Sequence, residues 1–236
     1  MSISSSSLQT LYKELIIKKN FTELAHLVER NENFPPADNI VRLGFKTYLH
    51  EAGGNKVKLF YLMKLKEITS IKPDQGIIKD ACEIALSMNS PEVLEALVKR
   101  TEASKSIFRD LTAPLQKSYQ NYINEGRFVD ISKLMQVTDT SPDVEAVQDG
   151  YALYLQDAKF ISFSGLKKRT NIQPDKEMVE EVYRHYQANY FRLKSVGDEQ
   201  AKIWMDRLRK LRKISKVDPP EDVDIEEPEE EEEDLE

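Results

Sequence analysis

One cysteine, Cys82, stands among the 236 residues. A single thiol can form neither an internal disulfide framework nor a cysteine-based metal site, so the expected setting is reducing and cytoplasmic. Eight glycines and ten prolines are too few for a strand-and-turn protein of this length. No apolar run approaches the roughly 18 residues of a membrane span, so no membrane partner is expected. The first arginine is Arg30, and no basic stretch followed by a long apolar run opens the chain, which speaks against a secretory or organelle leader. Residues 1–7, rich in serine, are expected to be disordered.

The chain also has little that could carry chemistry. Gly53-Gly54 is not followed by the Lys-Ser/Thr of a phosphate loop, and no GxGxxG occurs. His26, His50 and His185 lie far apart, and none has a second ligand three or four residues on that completes a known motif. Cys82 falls at a packing position, where a thiol acts as a small hydrophobe. Carboxylates are plentiful, but no pair stands apart from ordinary solvated helix faces. No catalytic, cofactor-binding or metal-binding residue is assigned, and the expectation is a protein that is not an enzyme.

What is present is repetition. Residues 115–143 and 147–175 superpose without a gap at a shift of 32, sharing Gln, Tyr, Tyr, Phe, Ser, Leu, Thr, Pro and Asp. Leu8 to Pro36 fits the same pattern at a shift of 139, with Tyr12 on Tyr151 and Pro35 on Pro174. A second copy ends in LKEITSIKPD, places Gly44, Phe45 and Tyr48 where 147–175 has Gly150, Tyr151 and Tyr154, and carries five extra residues around Ala52-Gly53-Gly54-Asn55-Lys56. A degenerate third copy puts Cys82 at the aromatic position, and a sixth starts near Met178 with its second helix from about Asp198 to Ser215. The approximate boundaries are 8–36, 37–74, 75–106, 107–143, 144–175 and 176–216.

Each copy reads as two helices. Apolar residues at 147, 151, 154 and 155 form one helical stripe, and Phe160, Phe163 and Leu166 form another. Ser141-Pro142-Asp143 and Ser90-Pro91-Glu92 read as helix starts, with serine capping and proline in the first turn. Pro174 disfavours a helical Gln173, so the helix before it should stop by about Asn171, leaving Ile172 to plug the seam between hairpins. One such hairpin cannot bury two apolar stripes alone. The expected fold is therefore all-α, a solenoid of about six stacked helix-turn-helix repeats.

Hairpins of this length ending in Pro or Pro-Asp resemble tetratricopeptide and pentatricopeptide repeats over roughly residues 8–216. Gly150 and Pro174 suit the first pattern, although the aromatic after Gly150 does not match and Ser162 stands where a small Ala is usual. The ending Asn171-Ile172-Gln173-Pro174-Asp175 is similar to the second, whose Tyr-Asn helix start is missing, so no base-reading residues carry over. The resemblance implies a helical array that binds a partner along its surface.

Beyond the array lies a charge reversal. Residues 217–236 hold 13 of the 41 acids and no Lys or Arg, so the net charge of −7 belongs to this stretch. The remaining 28 acids face 34 basic residues, a formal +6 for residues 1–216. So acidic a run is expected to be a disordered tail. Just before it lie Arg207, Arg209, Lys210, Arg212 and Lys213 on one helix. Lys13, Lys46, Lys79 and Lys117 are read as a recurrent first-helix lysine, with Asp149 and Glu181 in that place in the last two copies. These nine basic residues are the candidate contacts. The expected function is a scaffold or adaptor that binds a protein partner. The alternative partner is RNA or single-stranded nucleic acid, held by the basic body and screened by the acidic tail.

Overall fold

The computed structural model describes residues 4–52 and 56–225. Among the described residues every regular element is helical: twelve α-helices and one 3₁₀ segment. The helices pair in chain order as α1 (Ser5–Lys18) with α2 (Phe21–Arg30), α3 (Asp38–Ala52) with α4 (Lys56–Thr69), and α5 (Gln75–Ser87) with α6 (Pro91–Thr101). Next come α7 (Thr112–Glu125) and α8 (Phe128–Thr138), followed by α9 (Val144–Gln156) with α10 (Phe160–Thr170) and α11 (Lys176–Lys194) with α12 (Ala201–Ser215). The 3₁₀ segment, Lys105–Leu111, precedes α7 and buries Ile107, Phe108 and Leu111. Five-residue insertion 52–56 spans positions 53–55, which lie outside the described residues.

The chain forms two compact units, one of residues 1–122 and 129–141, the other of 123–128 and 142–236. In the first, α1 packs on α3 and α3 on α5, while α2 packs on α4 and α4 on α6. In the second, α9 packs on α11 and α10 on α12. First helices thus meet first helices, and second helices meet second helices.

Fixed repeat positions explain this packing. The first aromatic of each first helix (Tyr12, Phe45, Tyr119, Tyr151, Tyr183, with Cys82 in its place in α5) is buried. Four of these tyrosines hold the exit of their own hairpin: the hydroxyl donates to Phe34 O (3.1 Å), Thr140 O (2.9 Å), Ile172 O (2.6 Å) and Val217 O (2.9 Å) for Tyr12, Tyr119, Tyr151 and Tyr183 respectively. Tyrosines three residues later reach back instead. Tyr48, Tyr154 and Tyr186 donate to the carbonyls of Ile16, Ile123 and Leu155, near the end of the preceding first helix. The shared glutamine is a clamp: Gln148 donates to Gln173 O and accepts from Asp175 N, both at 2.8 Å, and Gln9 and Gln116 grip the equivalent turns.

Burial shifts the acidity of these hydroxyls and gives them a pH signature. Desolvation pushes Tyr151 up to about 12 against a weaker opposing bond from Thr170, and Tyr186 up to about 12 against Arg207. A folded pKa above the unfolded value of about 10 means stability that is whole below pH ~10 and lost as pH rises toward 12. Alkaline titration followed together by tyrosinate absorbance and circular dichroism should show tyrosines 151 and 186 ionising only with loss of helix. Full ionisation near pH 10 with helix intact would contradict this.

The turns repeat as well, with different residues. Lys19, Asn89, Gly126 and Ala158 are left-handed between the two helices of a hairpin, and Ser70, Glu102, Asp139, Asn171 and Lys216 are left-handed after the second helix. As expected, α10 stops at Thr170.

Three local expectations need correction. The serine-rich start is not wholly irregular: Ser4 caps α1 by accepting from Ser7 N at 3.3 Å, and the helix begins at Ser5. Pro142 does not sit in a first helical turn. It is buried one residue before the N-cap Asp143, as Pro73 and Pro174 are before Asp74 and Asp175. The seam is therefore filled by proline while Ile172 is half-buried, and the following aspartate caps the next hairpin, with Asp74 accepting from Ile77 N and Asp175 from Met178 N. Finally, residues 217–225 are placed. They form the sixth hairpin's exit turn and then a strap on α11: Asp222 pairs with Arg184 at 3.2 Å and Val223 is 7% exposed. In the orientation that satisfies both ends, the Gln187 amide donates to Asp222 O and accepts from Asp224 N. Two apolar residues and two prolines, Val217, Pro219, Pro220 and Val223, let this acidic stretch dock. Residues 226–236 lie outside the described residues.

Candidate interaction surfaces

The first-helix face of the first unit carries two neighbouring grooves. One, of about 680 Å³, lies between α3 and α5 and is lined by Lys46, Leu49, His50, Ile77, Asp80 and Ile84 among others. The second, of about 450 Å³, lies between α5 and α7, with Glu83, Ser87, Asn89, Lys117, Ser118 and Asn121 on its walls. Helix α5 supplies a wall to each. Its small buried residues Ala81 and Ala85 let the flanking helices approach, which leaves side chains of positions 80, 83, 84 and 87 on the groove surface. The floor is partly organised already: Ser118 Oγ donates to Leu86 O at 3.3 Å and Asn121 donates to Asn89 at 3.2 Å. Lys46, Asp80, Glu83 and Lys117 are exposed, and among the described residues none of the four is held in an ion pair.

The second-helix face of the same unit is different, because its charges are spent on one another. Lys66 meets Glu102 at 2.8 Å, Arg100 meets Glu67 at 3.0 Å, and Lys133 meets Glu92 at 3.3 Å and Glu95 at 3.4 Å. The hydrogen bond from Lys66, then that from Lys72, holds the Glu102 carboxyl down to about 2. Such pairs stabilise little, but they leave few free charges for a ligand.

The structure separates the lysines that the sequence groups together. Counted from the buried aromatic of each first helix, Lys13 and Lys46 follow it by one residue, Lys117 precedes it by two and Lys79 by three. The expected lysine column is therefore not one repeat position. The residues at the place of Lys13 and Lys46 are Glu83, Gln120, Ala152 and Arg184. Lys79 stands where Gln9, Gln116 and Gln148 clamp their turns; it is half-buried and faces Asp110 at 3.8 Å. Lys46 and Lys117 line the grooves, and Lys13 is exposed on α1. Asp80, Glu83, Ile84 and His50 belong to the groove surface and carried no sequence signal beyond being polar or apolar helix residues.

In the second unit the basic residues of α12 divide. Arg207 stacks over Trp204 at 4.3 Å, and Arg209 meets Asp206 at 3.5 Å. Lys210, Arg212 and Lys213 are exposed. Lys167 in the last turn of α10 donates to the carbonyls of Ile214 (3.3 Å) and Ser215 (2.9 Å), so the C-terminal ends of α10 and α12 lie side by side. The run Lys167-Lys168-Arg169 was visible in the sequence, but only this contact joins it to α12.

The residue types suited to chemistry sit apart from these surfaces or from each other. Cys82 is fully buried and its thiol is pushed up to about 12 by desolvation. His26 is exposed beside Glu29, and His185 contacts Asn189. Among the described residues no group of His, Cys, Asp and Glu could hold a metal, and no helix is long and apolar enough to cross a membrane. Comparisons with protein-family models, with curated proteins and with solved structures gave no match.

Proposed function

We propose that this chain is a non-enzymatic interaction protein, an α-solenoid of tetratricopeptide-like hairpins that holds an extended segment of a protein partner along its first-helix face, in a reducing, cytoplasmic setting. The observation that carries this reading is the pair of grooves flanking α5. One sets Leu49, Ile77 and Ile84 beside the free charges Lys46 and Asp80, and the other sets Lys117 against Glu83 over Leu86, Ala113 and Pro114. A mixed-charge groove suits a polypeptide that presents both signs. A polyphosphate backbone would meet the two carboxylates as well as the lysines, and direct repulsion opposes it.

Selection of peptides from a random display library against the full chain tests the reading. Peptides recovered should lose at least about tenfold in affinity for an Ile84→Asp, Lys117→Glu variant whose circular dichroism matches the parent, a cost ordinary for truncated or reversed groove contacts. Equal binding to the variant would remove the groove from consideration.

A second reading has its own observation. The adjoining ends of α10 and α12 gather Lys168, Arg169, Lys210, Lys213 and Lys216, all exposed and, among the described residues, outside any ion pair. On this reading the basic body binds RNA or single-stranded nucleic acid and the acidic tail acts as an autoinhibitory screen. Affinity of a chain ending at 225 for a single-stranded oligonucleotide should then fall steeply with salt.

A further inference from the structure

The basic ends of α10 and α12 have an occupant within the same chain. We propose that residues 226–236, EEPEEEEEDLE, seat on the cluster formed by Lys168, Arg169, Lys213 and Lys216, so that this surface is intramolecularly covered in the full-length chain.

The cluster is built by tertiary contact. The Lys167 ammonium bridges two carbonyls at the end of α12, which brings the last turn of α10, with Lys168 and Arg169, against the last turn of α12, with Lys213, and the following Lys216. Lys216 is close enough that, after desolvation, its charge is what disfavours protonation of Lys167. Two helix C-termini account for some of this positive charge, since cations there offset the dipole. Lys167 already serves that purpose for α12. Lys168, Arg169, Lys213 and Lys216 remain exposed around it without a partner among the described residues.

The segment fits in charge and in reach. Nine of its eleven residues are acidic. The strap leaves α12 at Lys216 and ends at Ile225, nine residues on, so its end is within about 30 Å of the cluster at ~3.3 Å per residue. Eleven extended residues span about 36 Å, enough to return. The strap also sets the starting point: Asp222 on Arg184 and the Gln187 amide on Asp222 and Asp224 hold the chain to α11, so the acidic segment departs from the second unit itself. That tether keeps its local concentration high, in the millimolar range expected for short linkers. Arg184 is taken by Asp222, and Lys216 shares a groove with Asp218 and Glu221, whereas Lys168, Arg169 and Lys213 have no ion-pair partner among the described residues.

This proposal rests on the second reading only for its surface, and the test separates the two. Zero-length carboxyl-to-amine cross-linking of the full chain, mapped by mass spectrometry, should join residues 226–236 to Lys168, Lys213 or Lys216 at low salt. The yield should fall about tenfold in high salt, where screening shortens to a few ångströms, and the yield at Lys216 should fall likewise in an Arg169→Gln, Lys213→Gln variant with unchanged circular dichroism. Cross-links spread evenly over lysines such as Lys13, Lys46 and Lys117, or indifferent to salt, would overturn it. So would an absence of tail cross-links when surface ion pairs such as Lys18–Glu14 are captured in the same sample. In parallel, oligonucleotide binding is compared between the full chain and a chain ending at 225. Specific cross-links with no nucleic-acid binding by either chain would leave the docked tail standing and remove the nucleic-acid reading; binding by both, with no specific cross-links, would do the reverse.

Discussion

Replacing Gly150 with alanine is expected to lower the stability of the second unit by up to about 2 kcal/mol, although alanine is the better helix former by about 1 kcal/mol. A Cβ built on Gly150 would stand 2.4 Å from Ile123 Cγ2 and 2.9 Å from Leu166 Cδ2. Both neighbours are fully buried and have no solvent to retreat into. Overpacking of this kind costs about 1–3 kcal/mol, enough to reverse the propensity gain. Gly44 meets Ile16 Cγ2 at 2.5 Å and Leu65 Cδ2 at 2.8 Å, and alanine there should act the same way in the first unit. Gly76 is the control: its Cβ would meet only Asp74 Oδ1 at 3.5 Å, so alanine should be neutral or stabilising. Urea unfolding of the three variants decides the matter. Stabilisation by all three would show that propensity governs and that the first helices do not approach this closely. An Ile123→Ala background should shrink the Gly150→Ala cost, because it removes the methyl that clashes.

Cutting the chain after 216 or after 225 should give opposite results. Ending at 225 removes nine acids but no described contact, and stability should change by no more than about 1 kcal/mol, the worth of an exposed charge contact. Ending at 216 also removes the Val217 carbonyl that accepts from Tyr183, the Asp222 partner of Arg184 and the buried Val223. A hydrogen bond of about 1 kcal/mol and a valine burial of about 1.5 kcal/mol or more lead to an expected loss of roughly 2–4 kcal/mol. The exposed ion pair adds little. Thermal unfolding of the two truncations beside the full chain measures this, and indistinguishable midpoints for 216 and 225 would mean the strap is not bound. A function assigned to the tail from a cut at 216 would therefore confuse lost acid with lost packing.

The repeat columns show how legibility divided. Positions whose chemistry is narrow were readable: the buried tyrosines, the clamp glutamines and the Pro-Asp endings recur because few other residues plug, cap or donate in those places. The roles behind them were less readable. Pro-Asp looked like a helix start or a recognition ending, and is a buried plug followed by an N-cap. The lysines looked like a column because surface positions tolerate any polar residue, so chance recurrence there carries no geometric constraint.

The left-handed turn positions were invisible for the opposite reason. Lys19, Asn89, Gly126 and Ala158 share a backbone conformation with no common side chain, since the hydrogen bonds of the flanking helices impose it on whichever residue is present. The grooves and the basic cluster were hidden too, because each is assembled from helices separated in sequence: α3, α5 and α7 for the first, α10 and α12 for the second.

By itself, then, the sequence determined that the chain folds as successive helical hairpins, because apolar spacing, caps and prolines act within a few residues of each other. Tertiary structure decided which charges remain free to bind. Ion pairing on the second-helix face, the Lys167 bridge between two helix ends and the docking of residues 217–225 all depend on distances between segments, and a linear pattern holds no information on those distances until the helices have packed.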